Sequence, residues 1–227
     1  MTTFVLVPGA CHGGWWFEPF ARRLRRHGHE AYPLTLTGVG DRSHLLGASV
    51  NLETHIQDVI SVLEAEQIED AVLVGHSYGG AVITGVADRV SERVDALVYI
   101  DAFVPGDGDS CFDLTTDDQR QWYLEGAGAD GYAVTPLPFF DSRATSHPLA
   151  SLLQRIHLTG NLDRFRRRDY VYLSDWPEKS PFAQVYELLR QDPAWNVHIL
   201  PTRHNFMAEA SEEVFEILLR ASAPAPH

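Results

Sequence analysis

Two hydrophobic patterns alternate along the chain. Short apolar runs of strand length occur at residues 4–7, 30–36, 71–74, 97–100, 170–173 and 197–200. Between them lie stretches in which apolar residues recur at helical spacing, at residues 16–27, 51–66, 79–90, 182–190 and 211–221. Strands that alternate with helices are typical of parallel sheets with crossover connections. The pattern therefore predicts an α/β fold, a mainly parallel six-stranded sheet flanked by helices.

The alternation stops between residues 105 and 167. This stretch is rich in Gly, Pro and Asp and carries several aromatic residues, among them Trp122. A structureless loop of that length is uncommon in a compact domain. We therefore expect one domain over residues 1–227, with a small cap inserted at about 105–167 that has short helices of its own.

Charge and cysteine content narrow the classes of function. The chain has 31 acidic and 18 basic residues and a formal net charge of -13, a balance that repels phosphate backbones and anionic membrane surfaces. We expect neither nucleic acid nor membrane as a partner. The two cysteines are too few for a disulfide framework, and residues 1–9 lack the basic region of a signal peptide. A soluble, cytoplasmic protein is the expectation.

The sharpest chemical signal lies between the strand at 71–74 and the helix at 79–90. It reads GHSYG, residues 75–79, with Ser77 in its centre. This matches the nucleophile elbow G-x-S-x-G, in which the glycines allow a tight strand-to-helix turn that exposes the serine. A serine hydroxyl needs a neighbouring base, and His204 follows the last predicted strand across a short loop. Ser77 is predicted to be the nucleophile and His204 its base.

Four segments together resemble one family. They read FVLVPGACHGGWW (4–16), GHSYG (75–79), VYIDAFVP (98–105) and WNVHILPTRH (195–204). These segments look like those of the plant methylesterase and hydroxynitrile lyase family and its bacterial esterase-like relatives, within the α/β-hydrolase superfamily. The resemblance spans nearly the whole chain and is weakest in the cap. It implies an α/β-hydrolase core, ester hydrolysis, and neither a cofactor nor a metal.

Acyl transfer also needs donors for the oxyanion that forms on the substrate. In this fold one backbone N–H comes from the residue after the nucleophile and one from the loop after the first strand. Those residues are Tyr78 and Ala10. Among other residues near the expected site, His12, His76, Trp122 and Phe103 are candidate substrate contacts.

Two aspartates compete for the role of the triad acid. Asp175 follows the strand at 170–173, the usual place, but alignment with the plant pattern puts Trp176 at the expected position and Asp175 one residue early. Asp101 ends the preceding strand, and its YIDA context resembles the acid-bearing segment of some haloalkane dehalogenases. Asp101 is preferred and Asp175 is kept as the alternative.

The favoured function is hydrolysis of a small apolar or aromatic carboxylic ester through an acyl-enzyme on Ser77. A hydroxynitrile-lyase-like or other lyase activity is the first alternative. The plant lyases, however, place a Thr in the first loop and a Lys after the histidine, where this chain has Gly9 and Asn205. A ligand-binding homologue without turnover is the second alternative. A homodimer is left open, because the sequence does not reveal oligomeric state.

Overall fold

The short apolar runs form strands and the longer periodic stretches form helices. A computed structural model describes residues 1–165, 167–176 and 179–222. Its strands are β1 (Thr3–Val7), β2 (Glu30–Pro33), β3 (Ala71–His76), β4 (Val94–Ile100), β5 (Ala133–Val134), β6 (His147–Pro148), β7 (Arg168–Leu173) and β8 (Asn196–Leu200). Its α-helices are α1 (Glu18–Arg26), α2 (Leu52–Ala65), α3 (Gly79–Arg89), α4 (Cys111–Leu114), α5 (Asp117–Gly126), α6 (Leu149–Leu153), α7 (Ala183–Leu189) and α8 (Ser211–Ala221).

Six of the strands form one sheet in the order β2-β1-β3-β4-β7-β8. Every neighbouring pair in it is parallel, which confirms the predicted sheet. The predicted extension of the second strand to Leu36 is wrong. Pro33 pairs with Leu6 at the last rung, and β1 ends one residue later, so residues 34–36 have no strand to pair with. In a parallel sheet the carboxyl ends of all strands meet at one edge, and ligands bind in the crevice outside that edge.

The sheet is covered on both faces. Alternate residues of its central strands point to opposite sides, as Val72 and Leu73 do, and both are fully buried. One layer contains α2 and α3, with Ile56 and Val82 in its core. The other contains α1 and α8, with Phe215 in its core. Near-continuous apolar strands are what burial on two faces requires.

Residues 105–167 fold into short elements between β4 and β7. They contain the helices α4, α5 and α6 and the two-stranded antiparallel sheet of β5 and β6. Gly40 reaches this region through a hydrogen bond from its N–H to Thr145 Oγ1, at 2.7 Å.

Neither cysteine is paired. Cys11 and Cys111 are both buried free thiols, and burial raises the pKa of each well above its ordinary value. Both therefore stay protonated at neutral pH. Separately, none of the helices in the described ranges has the length and apolar character needed to cross a bilayer.

Candidate active site

Ser77 sits on a sharp turn between β3 and α3. Its φ of 54° is left-handed, a conformation that costs a non-glycine residue energy and is concentrated at functional sites. The turn brings α3 so close to β1 that a Cβ on Gly79 would lie 2.3 Å from the carbonyl oxygen of Val7. Only glycine fits there. The result is a half-buried serine at the carboxyl edge of the sheet, in the geometry expected of a nucleophile elbow.

Asp101 and His204 form a short hydrogen bond. His204 lies on the loop after β8, and its Nδ1–H donates to Asp101 Oδ2 at 2.7 Å. The Trp176 indole N–H donates to the same oxygen at 3.0 Å, and the Leu173 N–H donates to Oδ1 at 3.4 Å. The Asp101 carboxyl is completely buried. Burial raises its pKa, and the hydrogen bond from His204 and that from Trp176 oppose the rise. Such an arrangement fixes the tautomer of His204 with Nε2 free to accept a proton.

Main-chain hydrogen bonds tie Ser77 to the residues on either side of Asp101. β3 and β4 are neighbours, and the Ser77 N–H donates to Ile100 O at 3.3 Å. On the far side of Asp101, the Phe103 N–H donates to Ser77 O at 3.1 Å. Asp101 itself has a φ of 43°, so both strand ends turn through left-handed residues. The two residues therefore occupy adjacent, similarly built turns.

Aromatic rings enclose His204. The rings of His76, Trp176 and Phe182 have centroids 4.4, 4.9 and 5.5 Å from its own. The His204 side chain is 28% exposed. In the described part of the chain, Ser77 Oγ and His204 do not share a hydrogen bond. Catalytic hydrogen bonds are often long before substrate binds and tighten in the reacting complex.

Asp175 lies apart from this cluster. Its residue is exposed, and its N–H donates to Thr202 O at 3.0 Å. No hydrogen bond joins its carboxylate to His204 within residues 167–176 and 179–222. The side chain next to it, Trp176, turns inward instead and donates to Asp101. Of the two candidate acids, the geometry brings Asp101 to the histidine and leaves Asp175 outside.

The loop after β1 runs beside the elbow. A Cβ on Gly9 would lie 3.0 Å from the Cβ of Ser77 and 3.5 Å from its Oγ. Across the described ranges, neither the Ala10 N–H nor the Tyr78 N–H is used in an internal hydrogen bond. Two unused backbone donors beside a strained serine are available for a ligand oxygen.

The predicted substrate contacts occupy two kinds of position. His12 and Trp122 are half-buried, and both pack against Phe140, with ring centroids 5.1 and 5.8 Å away. His76 is only 6% exposed; its Nε2–H donates to the carbonyl of His204 at 3.0 Å. Phe103 is 4% exposed and packs against Phe182. His76 and Phe103 thus lie behind the histidine, whereas His12 and Trp122 form an aromatic wall with Phe140, on the side of residues 105–167.

Sequence reasoning did not find several residues of this site. Trp176 and Phe182 pack on His204, and Trp16 stacks on His76 with ring centroids 4.4 Å apart. Trp16 ends the segment at residues 4–16 and Trp176 stands at the expected acid position, but neither pattern reveals these packing roles, because they depend on tertiary contacts. In the chain as far as it is described, no group of three or more His, Cys, Asp or Glu side chains is placed to hold a metal ion.

Comparison with known proteins adds a family to this geometry. A model of the alpha/beta hydrolase family matches residues 4–223. The carbendazim hydrolyzing esterase of Nocardioides sp. (strain SG-4G) is 38% identical over 96% of this chain and 98% of that protein. The pheophorbidase of Raphanus sativus is 30% identical over 96% of this chain and 93% of that protein.

Solved structures agree on the fold. An extracellular alpha/beta-hydrolase from a Paenibacillus species, described as sharing homology with tobacco salicylic acid binding protein 2, superimposes with a TM-score of 0.83. It covers 99% of this chain and 100% of its own, at 23% identity. The resemblance to plant methylesterases and their bacterial relatives is confirmed by these matches. The chain belongs to the alpha/beta hydrolase family and is a hydrolase enzyme.

Proposed function

We propose that the protein hydrolyses small carboxylic esters through an acyl-enzyme on Ser77. The observation that carries the proposal is the 2.7 Å hydrogen bond from His204 Nδ1 to the buried carboxyl of Asp101, on the strand next to the elbow. A histidine held in this way has Nε2 available as a general base. Esterases among the relatives support the same chemistry.

The proposed reaction has two halves. Ser77 Oγ attacks the ester carbonyl while its proton passes to His204 Nε2, and the oxyanion is held by the N–H groups of Ala10 and Tyr78. Collapse breaks the ester bond, and His204 gives its proton to the departing alcohol. Water then attacks the acyl-enzyme with His204 again as base, which releases the acid and restores the Ser77 hydroxyl. Asp101 stays ionised and stabilises the transient imidazolium.

The proposed substrates have an apolar or aromatic part. Support comes from the aromatic wall that His12, Trp122 and Phe140 form on the cap side of the site. Trp15 extends the wall, and the Arg143 guanidinium lies over its ring at 4.0 Å. Large flat rings supply much contact area with little conformational freedom to lose. In this proposal residues 105–167 are the cap, and they close over the acyl or alcohol group.

The proposed compartment is the cytoplasm, supported by the two unpaired thiols of Cys11 and Cys111. The homodimer stays a prediction. Light scattering on the purified protein measures its mass directly, and a monomer mass at working concentration would remove the dimer from consideration.

The test is a substrate panel with a matched pair of serine variants. The panel contains p-nitrophenyl esters of increasing acyl length, methyl salicylate and carbendazim, the compound named for the bacterial relative. We expect Ser77→Ala to lower kcat/KM by about a thousandfold or more. Ser43→Ala, at an exposed serine, keeps wild-type rates.

A fluorophosphonate probe gives a second readout for the same proposal. It is expected to add to the peptide that contains Ser77 in the wild type and not in Ser77→Ala. A Ser77→Ala variant as active as the wild type, or a wild type inert on the whole panel and unlabelled by the probe, would overturn the proposal.

A further inference from the structure

A buried histidine from residues 105–167 reaches the loop that carries the first proposed oxyanion donor. His147, on β6, is 1% exposed. Its Nδ1 accepts the N–H of Cys11, the residue after Ala10, at 3.2 Å. The two residues are 136 positions apart in the chain. A fully buried polar contact over such a distance fixes where the loop lies relative to the cap.

The direction of each hydrogen bond around this imidazole follows from its neighbours. Ser151 donates its hydroxyl proton to Pro148 O at 2.8 Å, so its oxygen accepts from His147 Nε2–H at 2.9 Å. Nδ1 is therefore the unprotonated nitrogen, as acceptance from Cys11 requires. Burial lowers the pKa of His147 well below its ordinary value, with His55 and His12 adding to the effect. The ring is neutral, and one tautomer satisfies both partners.

The residue that His147 holds is strained. Cys11 has a φ of 69°, in the left-handed region that non-glycine residues adopt only when their surroundings impose it. The same short segment binds its other backbone group, because the Thr145 N–H donates to Cys11 O at 3.0 Å. On the preceding residue, the Ala10 carbonyl accepts the Nδ1–H of His12 at 2.7 Å. The peptide plane between Ala10 and Cys11 is thus held at its N–H by His147 and at its C=O by His12.

His147 also contacts Tyr78, the residue that carries the second proposed oxyanion donor. Its ring packs edge-on against Tyr78, with centroids 4.6 Å apart. The Tyr78 hydroxyl donates to His55 Nδ1 at 2.7 Å, since His55 uses its other nitrogen to donate to Thr37 O at 2.8 Å. Tyr78 and His55 are both essentially unexposed. One imidazole therefore contacts Tyr78 directly and the loop of Ala10 through Cys11.

We propose that His147 is a positioning residue for the oxyanion hole: its Nδ1 holds the Cys11 N–H and thereby sets the spacing between the Ala10 and Tyr78 donors. The inference rests on the proposed function, because those donors are used only when Ser77 attacks a carbonyl. Oxyanion donors act on the transition state far more than on the bound ester. Loss of His147 Nδ1 therefore lowers kcat and leaves KM nearly unchanged.

Two conservative substitutions test the two nitrogens of the His147 ring separately. His147→Asn places its side-chain oxygen at the position of Nδ1 and keeps an acceptor for Cys11. His147→Gln reaches the position of Nε2 and keeps a donor for Ser151, but leaves the Cys11 N–H without a partner. We expect kcat to fall about tenfold or more in His147→Gln, the order of effect of an oxyanion donor that is misplaced but not removed. In His147→Asn we expect kcat within about threefold of the wild type, in line with a conserved hydrogen bond.

The matched control is Ser151→Ala, which removes the partner of Nε2 and the other hydrogen bonds of the Ser151 hydroxyl, to Pro148 O and the Tyr78 side chain, but keeps the bond between His147 Nδ1 and the Cys11 N–H. It is expected to lower the unfolding midpoint while kcat stays near that of the wild type. Binding of a trifluoromethyl ketone, which forms a tetrahedral adduct on the serine, is measured for all variants. Its affinity should fall in step with kcat in His147→Gln and hold in Ser151→Ala.

A second pair avoids the buried ring in case His147→Gln does not fold. Thr145→Pro deletes the N–H that binds Cys11 O, and it also loses the hydroxyl bond to Gly40; Thr145→Val loses the hydroxyl bond alone. We expect kcat to fall severalfold more in Thr145→Pro than in Thr145→Val.

The outcomes separate this inference from the proposed function. If the wild type hydrolyses esters and Ser77→Ala does not, the esterase proposal stands. Equal kcat values for His147→Gln and His147→Asn then overturn the role of His147. Equal values within the Thr145 pair overturn the premise of that role, that contacts from residues 145–147 hold Cys11 in the geometry the donors need. A wild type without Ser77-dependent activity overturns both.

Discussion

The carboxyl ends of β4 and β7 lie side by side, and each leads into an aspartate, but the two aspartates have opposite surroundings. Asp101 ends β4 in the interior, with no exposed surface and donors from His204, Trp176 and Leu173. Asp175 follows β7 and is exposed. Sequence position alone could not decide which is the triad acid, because each follows a strand whose carboxyl end lies at the candidate active site.

The two aspartates differ in where they lie relative to the ends of their strands. Both strands have a neighbour on each side in the sheet, but Asp175 lies two residues beyond the end of β7 and is exposed, whereas Asp101 follows β4 directly at a completely buried position. A carboxylate there loses its hydration and needs hydrogen-bond donors in return. Trp176 supplies one of them from the neighbouring strand end. The loop after β7 thus contributes an indole donor to the acid of β4 in place of an acid of its own.

The largest expected effect comes from Asp101→Asn. An amide cannot stabilise the imidazolium and favours the wrong tautomer of His204, so kcat should fall by about a thousandfold to ten-thousandfold. Steady-state kinetics on the best ester of the panel measures it. If the activity of Asp101→Asn stays within tenfold of the wild type, Asp101 is not the triad acid.

Removal of the indole donor tests how much β7 contributes. Trp176→Phe keeps a ring against His204 and deletes the hydrogen bond to the carboxylate. A hydrogen bond to a charged group contributes about 1.5–3 kcal/mol, so kcat should fall about tenfold to a hundredfold. The control is Trp195→Phe, because Trp195 packs against Tyr99 and Arg168 just before β8 begins, away from Asp101. Equal effects of the two variants would show that ring packing matters and the donor does not.

Burial of Asp101 should also make the stability of the folded protein depend on pH. Because burial raises its pKa in the folded protein, its contribution to stability is fully present below the unfolded value of about 3.9 and is lost as pH rises through the folded pKa. Relative to Asp101→Asn, the wild type should become less stable as pH rises from about 4 to neutrality. In a chain of this size about 3 °C in the unfolding midpoint corresponds to about 1 kcal/mol. A constant difference across that pH range would contradict the expected sign.

The smallest effect is expected from Asp175→Asn. Its side chain is exposed, and the hydrogen bond that anchors the residue uses its backbone N–H. Substitutions of this kind usually change stability by less than about 0.5 kcal/mol, and kcat should stay within about twofold. A loss comparable with that of Asp101→Asn would return Asp175 to the position of acid.

The fold was predictable because each level of the sequence agrees with it. The strand and helix periods, the elbow glycines and the family resemblance all indicate one topology. β3 and β4 were recognised from short runs that are apolar at every position, such as Leu73 and Val98. The elbow was recognised because Gly75 and Gly79 flank Ser77 at the strand-to-helix turn.

The residues that surround and support the catalytic side chains were less predictable from the sequence. Trp176, Phe182 and His147 act through contacts with residues far away in the chain, and no local pattern marks them. His147 in particular follows a Gly- and Pro-rich stretch whose only sequence signal is the loss of periodicity. A histidine in such a segment looks like an ordinary polar residue until the fold encloses it. The choice between Asp101 and Asp175 needed the same information.

The pairing of β3 with β4 has a further consequence for the dynamics of the site. Ser77 and Asp101 follow the two strands at the centre of the sheet, which are joined by five consecutive register pairs up to their carboxyl ends, whereas His204 follows the edge strand β8. Local opening in folded proteins begins at edges and reaches the central strands last. Transient detachment of β8 would carry the histidine away and back while serine and carboxylate keep their spacing. Amide hydrogen exchange should therefore be slowest at β3 and β4 and faster at β8, so that the enzyme regains its working arrangement after each partial opening.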